Sequence, residues 1–319
     1  MSTDSRPDAV GSLASDPLRI IVLSHDANGF ALIRSICSSE GHVVVAEVFA
    51  RSLKPCKPVR EDASDTVAGL IDAIPADVDL LVPSSTRGLA QALPGYRPDL
   101  IICNGFPWKL PRSVLEIPRL GAVNIHPSLL PQYRGPLPVH WAIRNGDAEI
   151  GLTFHWMDEG FDSGRIILQE GGIPLDDEVV PDRIFGYIDA AIARLLPTVL
   201  ERAATGIVGE IQDDTASSYA RWMETEFQYI DWADSVRSIH NQVRASRLFS
   251  PANGPIAEVE GAWVKILRTE TKPMDGIRVE CSDGSIWIVE SLPTSPPHTG
   301  TSRNAEPLAK ACPVTPDHS

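Results

Sequence analysis

The chain has 319 residues, of which 43% are hydrophobic and 22% are charged, so it is large enough for one or two globular domains with a substantial core. No apolar run reaches the roughly 20 residues that span a bilayer. The polar start also lacks the apolar segment of a signal peptide, so we predict a cytoplasmic protein with no membrane partner. The net charge is −14, from 42 acidic and 28 basic residues. A nucleic-acid partner is therefore disfavoured, because binding a polyanion relies on Lys and Arg.

The five cysteines are scattered along the sequence and show no metal-ligand spacing. An odd number of widely separated cysteines is typical of reduced thiols in the cytoplasm. We therefore predict neither a disulfide framework nor a metal site.

Residues 18–206 alternate between short apolar segments and amphipathic ones, after a polar leader at 1–17 that we predict to be disordered. The predicted strands lie at 18–25, 43–50, 78–83, 98–106, 121–127, 151–158 and 166–175, and the predicted helices at 29–42, 65–74, 85–93 and 182–206. Continuously apolar strands that alternate with helices favour a parallel sheet covered on both faces. The pattern predicts a Rossmann-like α/β domain with a mostly parallel sheet.

The second part of the chain has a different pattern. A predicted helix at 230–246 precedes two segments, 254–272 and 277–291, in which apolar and polar residues alternate around Glu-Gly and Asp-Gly turn signals. We predict a small, mainly β C-terminal domain at 207–291, with an OB-like arrangement. Residues 292–319 lack apolar content and are predicted to form a disordered tail.

Asn124 and His126 lie at the end of a predicted strand and are followed at once by Pro127 and Pro131. Residues two apart on a strand project to the same face, and ligands of open parallel sheets bind beyond the carboxyl ends of the strands. The prolines end the strand and stiffen its exit. The segment therefore predicts one amide and one imidazole held at a sheet edge, although a lone histidine there is more often a hydrogen-bonded structural residue.

Residues 124–164 as a whole resemble the folate-dependent formyltransferases. The family signature appears in three pieces, N-x-H-P-S-L-L-P-x-[YW]-R-G at Asn124–Gly135, G-x-T-x-H-x-M at Gly151–Met157, and D-[ST]-G at Asp162–Gly164. The resemblance covers residues 18–206 as a formyltransferase catalytic domain and extends more weakly into the C-terminal part. It implies 10-formyltetrahydrofolate as the cosubstrate, and a catalytic trio of Asn124, His126 and Asp162.

The chemistry of formyl transfer is consistent with these roles. Attack of an amine on the formyl group gives a tetrahedral intermediate, whose anionic oxygen needs a donor such as Asn124 or a cationic His126. A histidine that titrates near neutrality can carry the proton from the attacking ammonium to N10 of the departing folate. Asp162 can orient His126 and raise its pKa. Asp-Ser-Gly is also good turn chemistry, so only the spacing favours a catalytic Asp162.

By the resemblance, the folate lies against two loops, at 104–111 and 157–164. The candidate folate-binding residues are Phe106, Trp108, Leu110, Leu129, Asp158 and Gly160, and the candidate acceptor-binding residues are Ser128, Tyr133 and Arg134. The apolar members of this set fit a core equally well. His155 and Trp156 fall on a predicted strand and are interpreted as structural.

Two departures from the family bear on the acceptor. Glycinamide ribonucleotide formyltransferases carry a phosphate loop rich in Gly and Ser after the first strand, where this chain has SHDANGF at 24–30. Methionyl-tRNA formyltransferases carry a basic insertion with glycines after the second strand, whereas residues 51–65 here lack glycines and end acidic. Together with the net charge, these departures favour a small-molecule amine, such as a nucleotide-linked amino sugar or an amino-acid-like metabolite precursor. Methionyl-tRNA is the alternative acceptor, hydrolysis of formyl-folate is a weaker alternative, and the sequence leaves open whether the protein is a homodimer.

Overall fold

The computed structural model describes residues 16–55 and 63–296. Seven strands of this part form one sheet, β1 (Arg19–Ser24), β2 (Val43–Phe49), β3 (Asp79–Leu81), β4 (Leu100–Asn104), β5 (Gly121–His126), β6 (Glu149–Trp156) and β7 (Ile166–Pro174). Their order is β3–β2–β1–β4–β5–β6–β7. Strands β1 to β5 are parallel, and β6 and β7 are antiparallel to their neighbours. The predicted mostly parallel, Rossmann-like sheet is confirmed.

Helices cover both faces of this sheet. They are α1 (Ala27–Ser39), α2 (Ala63–Ala73), α3 (Thr86–Ala92), α4 (Arg112–Leu115), α5 (Pro138–Asn145) and α6 (Pro181–Ala204). Alternate residues of β1 enter opposite cores, because successive strand residues point to opposite faces. Val22 packs in the core that includes α1 and α6, while Leu23 packs in the core that includes α3 and α4. Among the described helices, none is long and apolar enough to cross a membrane.

The ends of these helices follow local chemistry. Helix α1 begins two residues earlier than predicted because the Asp26 side chain accepts a hydrogen bond from the Gly29 N–H and caps it. Helix α5 was not predicted. It starts with Pro138 in its first turn, a position where proline is tolerated because its missing N–H has no partner in the helix.

The carboxyl ends of the central strands meet at one edge. Ser24 of β1 is in register with Asn104 of β4, which is in register with Ile125 of β5. Ile125 points into the core of α1 and α6. Asn124 and His126, on either side of it, therefore point to the opposite face, at the open end of the sheet.

A second, antiparallel sheet lies in the C-terminal part. Its strands are β8 (Ile256–Val259), β9 (Ala262–Glu270), β10 (Ile277–Cys281) and β11 (Gly284–Pro293), in the order β10–β11–β9–β8. An OB-like domain is a five-stranded barrel, whereas the described residues of this region form four strands of one sheet. The mainly β prediction is confirmed, and the OB-like detail is not seen.

Helix α7 (Val236–Arg247) joins the two parts of the molecule. Val243 packs against the four-stranded sheet, and Ala245 packs in the core of the large domain. The Arg244 guanidinium donates hydrogen bonds to the carbonyls of Asp176 and Asp177. The helix begins later than the predicted residue 230 because Ser235 caps it, its side chain accepting a hydrogen bond from the Ser238 N–H.

The predicted tail begins too early. Leu292 and Pro293 pair with β9 as the last residues of β11, so they belong to the sheet. The Thr294 N–H also donates a hydrogen bond to the carbonyl of Trp263. Residues 1–15 of the predicted leader and 297–319 of the predicted tail lie outside the described residues.

Candidate active site

Asn124, His126 and Asp162 lie together at the open edge of the large sheet. Asn124 and His126 are on β5, and Asp162 lies in the turn between β6 and β7. The Asn124 Nδ2 donates a hydrogen bond of 3.1 Å to Asp162 Oδ1, and His126 Nδ1 is 3.7 Å from Asp162 Oδ2. The structure brings together the three residues that the sequence singled out.

The carboxylate of Asp162 is fixed by contacts from several sides. Asp162 has φ of 53°, in the left-handed region that non-glycine residues seldom adopt. Its Oδ2 accepts a hydrogen bond of 2.7 Å from the Gly135 N–H. Burial would raise the pKa of Asp162, but the charge of protonated His126 and the hydrogen bond from the Gly135 N–H hold that pKa well below its ordinary value. Asp162 is therefore an ionised carboxylate at neutral pH.

His126 is buried and neutral at the same pH. Its Nε2 lies 2.9 Å from the carbonyl oxygen of Tyr133, and because a carbonyl only accepts, we infer that Nε2 carries the proton. Burial lowers the pKa of His126 below its ordinary value, against the opposing charge of Asp162. This leaves an unprotonated Nδ1 next to the carboxylate, which is the state a general base needs.

His155 belongs to the site, although the sequence analysis interpreted it as structural. Its Nε2 is 3.2 Å from Asn124 Nδ2 and 3.5 Å from Asp162 Oδ1. Its Nδ1 is 2.9 Å from the Trp156 carbonyl, so Nδ1 is the protonated nitrogen and Nε2 can accept from Asn124. The signal was present, since His155 is the histidine of the G-x-T-x-H-x-M piece. The structural interpretation of Trp156 fits, because its Nε1 donates to the carbonyl of Ile207.

Two of the predicted folate-binding residues are core residues. Trp108 and Leu110 are only 3% and 1% exposed, so they offer almost no surface to a ligand. The Trp108 Nε1 donates a hydrogen bond of 2.7 Å to the carbonyl of Ser52, which satisfies its polar atom inside the core. Phe106 is partly buried, and its ring meets Trp108 edge to face with centroids 5.4 Å apart. Of these three aromatic and aliphatic candidates, Phe106 alone keeps an accessible face.

The remaining candidates for folate binding, Leu129, Asp158 and Gly160, make contacts within the protein. Leu129 packs over Gly151 of β6 and keeps 38% of its surface exposed, so its contact with a folate stays a prediction. Asp158 accepts hydrogen bonds from the Gly160 N–H and the Ser163 hydroxyl, so its carboxylate shapes the turn before Asp162. An added Cβ on Gly160 would lie 1.9 Å from the Ser163 Oγ. Close packing against Ser163 therefore favours glycine at position 160.

The predicted acceptor-binding side chains all have partners within the protein. Ser128 is fully buried, and its hydroxyl donates to the carbonyl of Gln132. The Tyr133 hydroxyl donates to Asp147, and only its backbone carbonyl faces the site. Arg134 is buried and donates to Gln212 and Asp214. These internal hydrogen bonds hold the loop in place, and contact of the three side chains with an acceptor stays a prediction.

His25 lies at the same edge as His126, although the sequence pattern at 24–30 indicated only that a phosphate loop rich in Gly and Ser is absent. A Cβ added to Gly105 would lie 2.4 Å from His25 Nδ1, so the His25 ring occupies the space above that glycine. Gly105 follows β4, which lies between β1 and β5. The His25 side chain is 48% exposed and pairs with Asp26 at 3.3 Å. It therefore forms part of the accessible rim of the site.

Metal coordination has no evident place here. Within the part of the chain that the structure describes, no group of three His, Cys, Asp or Glu side chains is arranged to hold a metal ion. The site consists of an amide, two imidazoles and one carboxylate.

Comparison with known proteins identifies the family to which the chain belongs. The model of the formyl transferase family matches residues 18–180, and the chain belongs to this family. It is 36% identical over 216 residues to a methionyl-tRNA formyltransferase of Citrifermentans bemidjiense, a match that spans 63% of this chain and 66% of that protein. The chain thus covers just under two thirds of that relative's length.

Solved structures share the fold at low sequence identity. A variant of HypX from Aquifex aeolicus matches with a TM-score of 0.61 at 20% identity, over 88% of this chain and 45% of HypX. HypX has also been solved in complex with tetrahydrofolic acid. A sugar N-formyltransferase from a Shewanella species matches with a TM-score of 0.60 at 15% identity, over 81% of this chain and 99% of its own.

Proposed function

We propose that this protein is an N-formyltransferase that moves the formyl group of 10-formyltetrahydrofolate to the primary amine of a small molecule. The observation that carries the proposal is geometric: His126 Nδ1 lies 3.7 Å from the Asp162 carboxylate, and the Asn124 amide, which donates to the same carboxylate, lies on the same strand face. Membership of the formyl transferase family supports the reaction. The complex of HypX with tetrahydrofolic acid supports a folate as the formyl carrier.

Each member of the trio would have a defined task. An ammonium substrate first releases one proton to solvent, and the neutral amine attacks the formyl carbon. His126 Nδ1 then takes a proton from the amine nitrogen of the adduct, because Nε2–H is already bound to the Tyr133 carbonyl. Asp162 stabilises the imidazolium that results. Asn124 donates a hydrogen bond to the anionic oxygen of the tetrahedral intermediate. That oxygen takes the place of His155 Nε2 as the acceptor for one N–H of the Asn124 amide.

The second half of the reaction returns the proton. As the bond between the formyl carbon and N10 breaks, His126 delivers its proton to N10 and becomes neutral again. The amine loses one proton and gains the formyl group, while the folate loses the formyl group and gains one proton. No net change remains on His126, Asn124 or Asp162.

Charge near the site favours a small cationic amine over a polyanion. Burial raises the pKa of Asp189 on α6, and the negative charge of Asp26 at the start of α1 adds to this increase. The two carboxylates are therefore close enough to interact, beside the edge where His25 lies. Negative charge at this edge attracts an ammonium, and the net charge of −14 disfavours a polyanion such as tRNA.

Methionyl-tRNA is the second candidate acceptor, because curated relatives are named as methionyl-tRNA formyltransferases. An assay separates the candidates. The protein is incubated with 10-formyltetrahydrofolate and either charged initiator tRNA, nucleotide-linked amino sugars, or ornithine-type amines, each amine paired with its N-acetylated form. We expect release of tetrahydrofolate with a free small amine only, and a formyl group on that amine by mass spectrometry. Release with tRNA only would replace our acceptor by the second candidate, and release without any acceptor would indicate hydrolysis.

A further inference from the structure

The segment at 210–220 contacts both the turn that holds Asp162 and the signature loop that carries Arg134. At one end, Glu210 exchanges two backbone hydrogen bonds of 2.8 Å with Ile166, at the start of β7. At the other end, the Arg134 N–H donates to Ser218, and the Ala220 N–H donates to Arg134. The segment is thus fastened on both sides of the turn that holds Asp162.

Gln212 lies between these two attachments and is buried. Its Nε2 donates to the carbonyls of Asp162, at 2.8 Å, and Gly164, at 2.7 Å. Its Oε1 accepts from Arg134 Nε, at 3.0 Å, and Nη2, at 2.6 Å. One side chain therefore links the backbone of the turn at 162–164 to the signature loop that carries Arg134.

The carboxylate of Asp162 is tied to the same loop from its other side. The Gly135 N–H, which donates to Asp162 Oδ2, directly follows Arg134. Gly135 has φ of 111°, and an added Cβ would lie 3.0 Å from the carbonyl oxygen of Ala220, so only glycine brings the N–H this close. Loss of the Gln212 link would free the Asp162 backbone from the loop that its carboxylate still contacts.

We propose that Gln212 is a positioning residue that holds the Asp162 carboxylate in the place where it supports His126. This inference rests on the proposed function, because it assigns Gln212 a task within that reaction. Asp162 has a left-handed φ, which costs free energy for a non-glycine residue and requires outside contacts to persist. The donated hydrogen bonds to the carbonyls of Asp162 and Gly164 are contacts of this kind. The exposed Asp214, which also pairs with Arg134, does not reach the turn and contributes little.

The chain contains a matched control. Gln242 is as buried as Gln212, at 8% against 7% exposed, and its Nε2 also donates to two backbone carbonyls, those of Phe227 and Tyr229, both at 2.8 Å. It lies on α7, outside the site. We compare Gln212→Met with Gln242→Met, since each change removes the side-chain amide and keeps the volume similar.

Both variants are expected to lower the thermal midpoint, and only Gln212→Met is expected to lower kcat, by about 100-fold, with the KM for 10-formyltetrahydrofolate nearly unchanged. The acidic limb of the kcat profile should also move to lower pH, because Asp162 raises the pKa of His126 and would no longer be held near it. A purely structural glutamine would leave the pH profile in place.

A second variant, Gln212→Glu, keeps an acceptor for Arg134 but has no donor for the two carbonyls. If Gln212→Met does not fold, kcat and its pH profile are measured in Gln212→Glu. Wild-type kcat and an unshifted pH profile in the folded Gln212 variants would overturn the proposal. A titration of His126 followed by NMR needs no turnover and so separates this inference from the proposed function. A lower pKa of His126 in Gln212→Met, which adds no charge, than in wild type would support the positioning role even if no acceptor were formylated, and an unchanged pKa would overturn it.

Discussion

His126 and His240 are both buried histidines whose pKa values burial lowers, to about 4 for His240, but they lie in different regions. At the edge of the seven-stranded sheet, His126 has Asp162 at 3.7 Å and the His155 ring at a centroid distance of 6.4 Å. On α7, His240 has the Thr269 hydroxyl at 3.0 Å from its Nδ1.

The two histidines differ in whether their neighbours leave a ring nitrogen free to accept a proton. His126 keeps an unprotonated Nδ1 beside a carboxylate at the carboxyl end of a strand, the edge where ligands of such sheets bind. The His240 Nδ1 bonds to a strand of the small sheet, and the helix that carries it packs between the two domains. Burial and a low pKa therefore do not identify a catalytic histidine. An ionised partner at the carboxyl end of a sheet strand separates His126 from His240.

The largest expected effect is that of His126→Ala. Loss of the general base should lower kcat for formyl transfer by 10²- to 10⁴-fold, an order-of-magnitude range for acid–base catalysis. His240→Ala is the matched control, and we expect it to lower the thermal midpoint while leaving kcat within about twofold. Steady-state kinetics and thermal melts of both variants test this. An equal loss of kcat in His126→Ala and His240→Ala would show that the two histidines do not differ in catalytic role.

Asn124→Ala should have the next largest effect. Removal of one oxyanion donor typically costs about 10²- to 10³-fold in kcat. The KM for 10-formyltetrahydrofolate should change much less, because the hydrogen bond is made chiefly in the transition state. Initial rates at several folate concentrations give both constants. A raised KM with unchanged kcat would mean that Asn124 binds the folate and does not stabilise the intermediate.

Acid should destabilise the protein through buried histidines outside the site. The pKa values of His140 and His240 are about 4 in the folded protein, chiefly because of burial, against an ordinary value of 6.5. The unfolded chain therefore binds more protons between these values, so stability is complete above pH 6.5 and is lost as pH falls towards 4. Each histidine should contribute on the order of 2 kcal/mol. Thermal midpoints from pH 7 to pH 4.5 measure the slope, which should be flatter in His240→Gln. An equal slope in wild type and His240→Gln would show that His240 does not contribute to the loss of stability in acid.

The smallest effect is expected for Trp108→Phe. The change removes the hydrogen bond to the Ser52 carbonyl in the core, and should cost about 1 kcal/mol of stability. The KM for 10-formyltetrahydrofolate should stay at the wild-type value, because Trp108 has almost no exposed surface. Denaturant unfolding and initial rates provide the two numbers. A clear rise in KM would restore Trp108 to the folate pocket.

Much of this site could be predicted from the sequence because its parts are local. Asn124 and His126 are two apart on one strand, and the signature places Asp162 at a fixed distance along the chain. The alternation of strands and helices likewise predicted the large sheet. These patterns depend on period and spacing, which a single sequence displays.

The rest of the site depends on contacts between distant residues. Gln212 meets Arg134 across 78 positions, and no periodicity marks either residue as a partner of the other. The sequence could not predict the burial of Trp108 either, because an aromatic residue after a strand can line a pocket or fill a core. Tyr133 illustrates a further limit, because its backbone carbonyl, and not its side chain, serves His126.

The most direct test of the proposed mechanism is single-turnover formyl transfer by wild type and Asp162→Asn between pH 5 and pH 8, with the amine that the acceptor assay identifies. The asparagine keeps the size of the side chain but cannot stabilise a protonated His126. We predict a rate at least about 100-fold below wild type at every pH in this range. A rate in Asp162→Asn close to wild type would contradict the central claim, that an ionised Asp162 supports His126 as the base.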